Sequence, residues 1–286
     1  MGICIGMHYK KFKPNKALED FVECFFVWEG KAETPLDFES PPSALCALVV
    51  NYADAYEISN YKYEKSVVPK SFLGGQALKN YTLHLYGSIG MVGAALRPTA
   101  LFNFYNIPMY GFTGERIAFS KIEVASANVI HLKIENAESA QERVAIIENY
   151  FLERLPSTDF ATKEITQAAN EIYNRKGQLN ILELMGQVPM SRRTFERKFL
   201  NEVGVSPKIY AKIRRFGNTC SLMAGKRDVN LMDVLHEGGY YDQSHFIKDF
   251  KYFSGRTPKI YVKTNVELAN YVNQVGIVER RLQDGN

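Results

Sequence analysis

The sequence predicts an α+β chain of two domains: a strand-rich N-terminal domain followed by an all-α domain with two helix-turn-helix units. Its 286 residues exceed the ~100–200 that are usual for one domain. Apolar runs typical of strands precede about residue 135, and every apolar pattern beyond residue 160 has a helical period. An apolar content of 46% is enough for a sizeable core and excludes a disordered chain.

The cysteines and the apolar runs exclude several classes of protein. No two cysteines form a CxxC pair, which excludes a zinc ribbon and argues against a disulfide scaffold. We therefore expect reduced, mostly buried thiols in a cytoplasmic protein. The longest apolar run, Ala44 to Val50, is too short for a signal peptide or a membrane span. The four cysteines are Cys4, Cys24, Cys46 and Cys220.

Positive charge is concentrated in the C-terminal part of the chain. Residues 158–264 hold 18 Lys and Arg against 11 Asp and Glu, a net charge of +7. The whole chain has a net charge of only +4, so the remainder is acidic. This division indicates a segment that faces a polyanion, although a chance division of solvated surface charges would look the same.

Residues 1–135 show the strand patterns. Phe21 to Trp28 and Ala44 to Val50 are apolar runs rich in aromatic or β-branched residues. The segments Tyr81 to Tyr86 and Arg116 to Val124 alternate between apolar and polar residues, as half-buried strands do. Glycines between positions 74 and 93, together with Pro98, are expected to interrupt the strands.

Residues 136–159 predict a linker helix between the domains. Its apolar stripe steps by three or four residues and should lie on one face. We predict that this face forms part of a homodimer contact; the alternative is that it packs on the N-terminal domain of the same chain. The stripe consists of Ala140, Val144, Ile147, Phe151 and Leu155.

Residues 160–264 contain two similar helical units. In the first, a short helix ends at Gly186, a turn of four residues follows, and Ser191 is placed to cap a helix whose inner face carries Phe195 and Phe199. The remaining positions of that helix are largely basic. This pattern is typical of a helix-turn-helix, although a helical hairpin with a solvated basic face would share it.

The second unit repeats the pattern with Asp242 as the cap and with Phe246 and Phe250 on the inner face. Between the units, Ser206 and the proline after it begin a helix of about 18 residues that Gly225 should end. Such a helix spans roughly 27 Å. It could therefore hold two recognition helices near the ~34 Å that separates successive major grooves. Residues 265–286 form a C-terminal extension.

These motifs resemble the DNA-binding domain of AraC/XylS-type transcriptional regulators. In the first unit and the linking helix, the resemblance rests on the run from Ser191 to Phe199 and on Gly204 to Pro207 with Arg215. The strongest match is the run from Gly239 to Lys251 in the second unit. It is followed by Gly255-Arg-Thr-Pro258 and Tyr261. Residues 91–111 are more weakly similar to the sensor domain of one subgroup. The chain departs from the family at Met185 and Leu235, where a small residue is usual, and at Gly238, where an apolar one is usual.

The resemblance implies which side chains contact DNA. Arginine can bond guanine O6 and N7 together, glutamine can pair with adenine, and glutamate can accept from cytosine N4. Arg197 could instead be structural, paired with a nearby carboxylate. The implied base contacts are Arg193, Glu196, Arg197, Gln243, Ser244, Ile247 and Lys248. The expected phosphate contacts are Arg192, Lys198, Lys208, Lys251 and His245, the last of which could also serve in helix packing.

Catalytic and metal-binding motifs are absent from the sequence: there is no Walker loop, HExxH or GxSxG, and we predict no enzyme activity, no metal site and no cofactor. The family resemblance implies that the N-terminal domain binds a small effector or a partner. Its aromatic content suits an apolar pocket, for which His84 and Arg97 are the polar candidates. An exposed strand position is the alternative for His84.

Three hypotheses of function follow. The favoured one is a sequence-specific, effector-responsive regulator that binds double-stranded DNA. We expect it to be a homodimer without membrane contact and, if it activates transcription, to bind RNA polymerase. In the second, the N-terminal domain only dimerises or binds a protein partner. The third is a DNA-modifying enzyme with a nucleophilic cysteine. Such an enzyme would need a cysteine in an activated motif, and the sequence has none.

Overall fold

A computed structural model of the chain describes residues 7–155, 162–224, 226, 229–263 and 277–278. The strands are β1 (His8–Phe12), β2 (Val22–Ser40), β3 (Cys46–Asn51), β4 (Glu57–Ser59), β5 (Ser66–Val67), β6 (Ser71–Gly74), β7 (Tyr81–Leu96), β8 (Arg116–Ala118) and β9 (Ile277–Val278). The helices are α1 (Ala100–Tyr105), α2 (Val124–Asn136), α3 (Ala140–Leu152), α4 (Lys163–Asn174), α5 (Ile181–Gly186), α6 (Arg192–Val203), α7 (Pro207–Met223), α8 (Leu231–Glu237) and α9 (Gln243–Ser254). The predicted α+β class, with strands before the helical domain, is confirmed.

One sheet, in the order β8-β6-β3-β7-β2-β1-β9, organises the N-terminal part, and the short β4 and β5 extend it beside β7. The long strand β7 continues through the glycines that were expected to interrupt it. A Cβ at Gly93 would lie 2.6 Å from the Leu48 carbonyl oxygen, and one at Gly90 would lie 2.6 Å from the Tyr52 ring. These glycines therefore allow close packing inside the sheet and do not end a strand.

Helix α3 is part of the core on one face of this sheet. Val144, Ile147 and Phe151 have no exposed surface and pack in one cluster with sheet residues such as Phe25 and Leu48. The predicted homodimer contact on this stripe is therefore wrong, and the alternative, packing within the same chain, is what the structure shows. The turn after the helix, at residues 156–159, lies outside the described residues.

The strand expected over Arg116 to Val124 is shorter than its alternation suggested. It ends at Ala118, and a short 3-10 helix (Phe119–Lys121) follows. The Phe119 ring is fully buried, and its carbonyl accepts from the Ile122 amide at 3.0 Å. Burying this ring turns the chain out of the sheet and into α2.

The capping residues predicted in the C-terminal part are confirmed. The Ser191 hydroxyl accepts from the Thr194 amide at 3.2 Å, and the Asp242 carboxylate accepts from the His245 amide at 2.8 Å. The Ser206 hydroxyl caps α7, which starts with proline and is 17 residues long. Gly225, which was expected to end this helix, lies outside the described residues.

The C-terminal part packs directly on the N-terminal part. The buried Tyr210 hydroxyl donates to the Ala44 carbonyl at 2.9 Å, and Ala44 belongs to the core of the helical domain. Within the described residues, no helix has both the length and the apolar character needed to cross a membrane.

Candidate nucleic-acid interface and interdomain cavity

A groove of about 1060 Å³ runs between the first helix-turn-helix unit, α7 and the start of α9. Glu196 is the one carboxylate among the described residues that line it. The groove therefore carries a strongly positive surface, as contact with a polyanion requires. Its basic side chains are Arg192, Arg193, Arg197, Lys208, Lys212 and Arg215, with His245 from the second unit.

The first recognition helix, α6, presents two arginines without partners. Arg193 and Arg197 are exposed, and neither side chain forms a hydrogen bond or ion pair with any other residue that the structure describes. The alternative role for Arg197, pairing with a carboxylate, therefore finds no support. Glu196 is different, because it accepts from the Arg192 guanidinium at 3.0 Å. A predicted base contact and a predicted phosphate contact thus form an ion pair with each other.

On the second recognition helix, α9, the expected base contacts lie toward solvent. Gln243, Ser244 and Lys248 are exposed, and Ile247 is half-buried. His245 Nε2 lies 3.6 Å from Oδ2 of Asp249, a buried residue that sequence reasoning missed. In the sequence, the only indication of this contact is an acidic residue one helical turn after His245.

Asp249 also joins the second unit to the linking helix. The Lys212 ammonium of α7 lies 3.0 Å from Asp249 Oδ1. Because the Asp249 carboxylate is almost fully enclosed, breaking this pair would leave a buried charge without its partner. The pair therefore fixes the position of α9 on α7, close to the groove.

The expected phosphate contacts differ in their exposure and in whether their side chains already have hydrogen-bond partners. Lys208 and Lys251 are exposed. Lys198 is half-buried, and its ammonium donates to the Thr162 hydroxyl at 3.1 Å. That hydroxyl donates in turn to Glu202, whose pKa is raised by burial. Lys198 is thus partly committed to holding the start of α4 against α6.

The second face of the sheet and the helical domain border a partly open cavity of about 710 Å³. Eight aromatic side chains from the N-terminal part make its body largely apolar: Tyr9, Phe26, Trp28, Phe38, Tyr56, Tyr61, Phe72 and Tyr81. The helical domain closes it with Tyr173, Arg214, Cys220, Met223 and Tyr261. A space of this size with a few polar groups is typical of a small-molecule site.

The carboxylates that line the cavity are already neutralised. Glu23 lies 3.1 Å from Arg97, Glu39 pairs with Arg256, and Glu115 pairs with Lys62. Four lining cations have no carboxylate within ion-pair distance among the described residues: Lys11, Lys79, Arg116 and Arg214. The cavity therefore favours a negatively charged group.

Arg116 is held between two aromatic rings. Its guanidinium lies 4.2 Å from the centre of the Tyr81 ring and 5.7 Å from that of Phe72. Cation–π contacts fix the side chain without consuming its hydrogen-bond donors. Those donors remain for a ligand.

The comparison with protein families is decisive for the C-terminal part. Residues 184–264 match a family described as a helix-turn-helix domain, and residues 10–118 match one described as a domain of unknown function. The C-terminal part is an AraC-type helix-turn-helix domain. The two helix-turn-helix units predicted for this part of the chain lie largely within the matched residues.

Solved structures similar to the chain include several of ToxT from Vibrio cholerae. One ToxT structure is 12% identical over 84% of this chain and 97% of ToxT, with a TM-score of 0.46. Another, bound to (E)-4-(8-methylnaphthalen-1-yl)but-3-enoic acid, is 10% identical over 90% of this chain and 98% of ToxT, with a TM-score of 0.45. No curated protein sequence matches the chain.

The two polar pocket candidates from the sequence, His84 and Arg97, do not line the cavity beside the AraC-type domain. Along β7, Leu83 faces the cavity, so His84 points to the other side, where its ring contacts Ser59 Oγ at 2.8 Å and Asp37 Oδ1 at 2.6 Å. Arg97 is held by Glu23 behind the cavity lining. Neither residue belongs to the lining of this cavity, and their assignment to a ligand pocket stays a prediction. Sequence reasoning missed Arg116, whose position at the start of an alternating segment was the available signal.

Three thiols also line the cavity. Burial raises the pKa of Cys24 to about 11 and the pKa values of Cys46 and Cys220 to about 12. These thiols stay protonated at neutral pH, unlike an activated nucleophile. Among the described residues, no three His, Cys, Asp or Glu side chains are placed to hold a metal ion.

Proposed function

We propose that the chain is a sequence-specific transcription regulator in which both helix-turn-helix units read DNA and the interdomain cavity binds a small effector. The observation that carries the first half is the basic groove, where the unpaired Arg193 and Arg197 of one unit lie near His245 of the other. A groove of this charge, shared by two recognition helices, suits a continuous duplex.

The exposed side chains have the chemistry to read bases. Arg193 and Arg197 lie one helical turn apart and away from the buried Phe195 and Phe199, so both can enter one major groove. Their free guanidinium groups suit the O6 and N7 atoms of guanine. On α9, the Gln243 amide suits adenine, and Ile247 can contact a thymine methyl group.

The cavity supports an effector with an apolar body and a negative group. A packed interior, as expected for a domain that only dimerises or binds a protein, would leave no space of this size. The raised pKa values of the three thiols argue against the DNA-modifying alternative. The homodimeric state, the RNA polymerase contact and the cytoplasmic location stay predictions.

Binding selection on randomised DNA tests the reading residues. We expect Arg193→Ala and Gln243→Ala each to relax base preference in one half of the site, by about 1–3 kcal/mol, because each loses a base contact. Lys208→Ala is the control, since this exposed lysine has no partner among the described residues and should contact phosphate alone. It should weaken binding to all sequences alike. Arg192→Ala is a poorer control because it also frees Glu196.

The outcomes of this selection distinguish side chains that read bases from side chains that do not. A variant that keeps the wild-type motif and is merely weaker would show that its side chain does not read bases. A wild-type protein that selects no motif would contradict sequence-specific binding altogether.

A further inference from the structure

The two helix-turn-helix units are attached to the N-terminal domain by different segments. The second unit and the linking helix rest on Glu39–Leu45 and Leu78–Asn80, which we call the interdomain wall. The first unit rests on Met109–Thr113. Most residues of the interdomain wall line the cavity, whereas none of Met109–Thr113 does.

The interdomain wall holds the C-terminal end of α9 by several contacts. The Asn80 amide donates to the Phe253 carbonyl at 2.9 Å. Glu39 accepts from the Asn80 side chain and pairs with Arg256, just beyond α9. The Lys79 ammonium lies 5.4 Å from the centre of the Tyr252 ring. Glu39 and Lys79 both face the cavity.

One end of the interdomain wall is fixed. Ala44 adopts a left-handed backbone with φ of 64°, which is strained for a residue with a side chain. It is buried, and its carbonyl accepts from Tyr210 of α7. Beside it, a Cβ at Gly217 of α7 would lie 2.7 Å from the Pro42 carbonyl oxygen, so α7 already touches the backbone there. At its other end the backbone of Glu39 is held in β2, opposite Thr82 of β7. Displacement is therefore easiest for the side chains of Glu39 and Lys79, which hold α9.

The first unit is attached by residues that adjoin the cavity lining without belonging to it. The Thr113 hydroxyl donates to the Gly204 carbonyl, at the end of α6, at 2.6 Å. A Cβ at Gly204 would lie 2.7 Å from the Met109 carbonyl oxygen, so this contact is also close. Gly114 to Arg116, which follow Thr113, do line the cavity, so occupancy reaches this attachment only through neighbouring residues.

From this asymmetry we propose that the effector controls DNA reading by the second unit alone, through the interdomain wall. The inference rests on the proposed function and specifies how it is regulated. A ligand that displaces Glu39 or Lys79 changes the placement of α9, while α6 keeps its own attachment. Coupling of this kind requires the ligand to bind two placements of the interdomain wall with different affinity.

The test uses the full chain and needs no identified effector. Glu39→Gln removes the charge that holds Arg256. Ala95→Phe imitates occupancy, because Ala95 lines the cavity and the added ring would occupy part of it. Thr113→Val is the matched control, since it removes the hydroxyl that attaches the first unit. Base preference is read by selection on randomised DNA, with the two halves of the site assigned by Arg193→Ala and Gln243→Ala.

We expect Glu39→Gln and Ala95→Phe to change base preference about fivefold or more in the half that Gln243 reads and to leave the half that Arg193 reads unchanged. Thr113→Val should show the opposite pattern. Circular dichroism checks folding, and Glu39→Gln decides the question if Ala95→Phe does not fold. Equal changes in both halves, or no change in either, would overturn the inference. A wild-type chain without any motif would instead refute the proposed function on which it rests.

Discussion

At the scale of single residues, the ion pairs decide which charges are available for ligands. Arg192 and Glu196 neutralise each other, whereas Arg193 and Arg197 beside them stay free for DNA. The sequence predicted the caps at Ser191 and Asp242 correctly because a cap depends on residues three positions apart. It could not predict the pairing of Glu39 with Arg256, whose positions differ by 217 in the chain.

Arg116 should govern the binding of anions in the cavity. We expect Arg116→Gln to weaken binding of 1-anilinonaphthalene-8-sulfonate about tenfold, because a charge-assisted hydrogen bond contributes roughly 1.5–3 kcal/mol. The neutral analogue N-phenyl-1-naphthylamine should bind the variant and the wild type equally. Fluorescence titration of both probes measures the difference.

The control for this prediction is Lys65→Gln. Lys65 is an exposed cation of the same domain, pairs with Glu57 and does not line the cavity. It should leave the binding of both probes unchanged. Equal loss of both probes in Arg116→Gln would mean that the arginine only supports ring packing.

At the scale of elements, a periodic pattern predicted the type of each element more reliably than its contacts. The two recognition helices were predicted together with their buried phenylalanines, since a stripe at i and i+4 is local. The partner of the α3 stripe was not predicted, because an apolar face looks the same whether the sheet of its own chain or a second copy covers it.

The departures from the family pattern also have a packing reason at this scale. A Cβ at Gly238 would lie 2.7 Å from the Val234 carbonyl oxygen and 2.8 Å from the Thr219 hydroxyl. There is therefore no room for the apolar side chain that is usual at this position, because α8 lies so close to α7. For Met185 and Leu235 the structure shows only that both are buried in the helical core.

Helix α2 offers a different face for the predicted homodimer. Val124, Val129 and Leu132 are 66%, 51% and 62% exposed, although all three are apolar and lie on one short helix. We expect Val129→Glu together with Leu132→Glu to halve the sedimenting mass. In a dimer through α2, the two new glutamates of each copy would face those of the other, and their charges could not be buried. Val67→Glu is the matched control, at an apolar site of 64% exposure in β5. A wild type that sediments as a monomer, or a double variant of unchanged mass, would contradict a dimer through α2.

At the scale of the whole molecule, the domain boundary is less sharp than the sequence suggested. Leu45 and Leu78 of the N-terminal part pack against the core of the helical domain, together with the buried Ala44. Contacts between residues so distant in the chain leave no periodic signal. The sequence therefore predicted both domains but neither the surface that joins them nor the cavity within it.

The separation of functions across this surface can be tested with a fragment of residues 160–264. All the described residues that line the basic groove lie within it. We expect the fragment to bind duplex DNA with a steep dependence on salt, because each neutralised phosphate contributes about 0.9 to the slope of log K against log[salt]. Lys208→Ala in the fragment should reduce that slope by about 1.

The same fragment should unfold at a lower temperature than the full chain. Tyr210 is fully buried in the full chain, and without the Ala44 carbonyl its hydroxyl loses the acceptor it has there. An unsatisfied buried hydroxyl costs about 1–3 kcal/mol, and a hydroxyl newly exposed to water costs less.

Circular dichroism would show whether the fragment is folded, and filter binding at several salt concentrations would give the slope of log K against log[salt]. A folded fragment without salt-sensitive retention of any duplex would mean that the groove does not bind DNA.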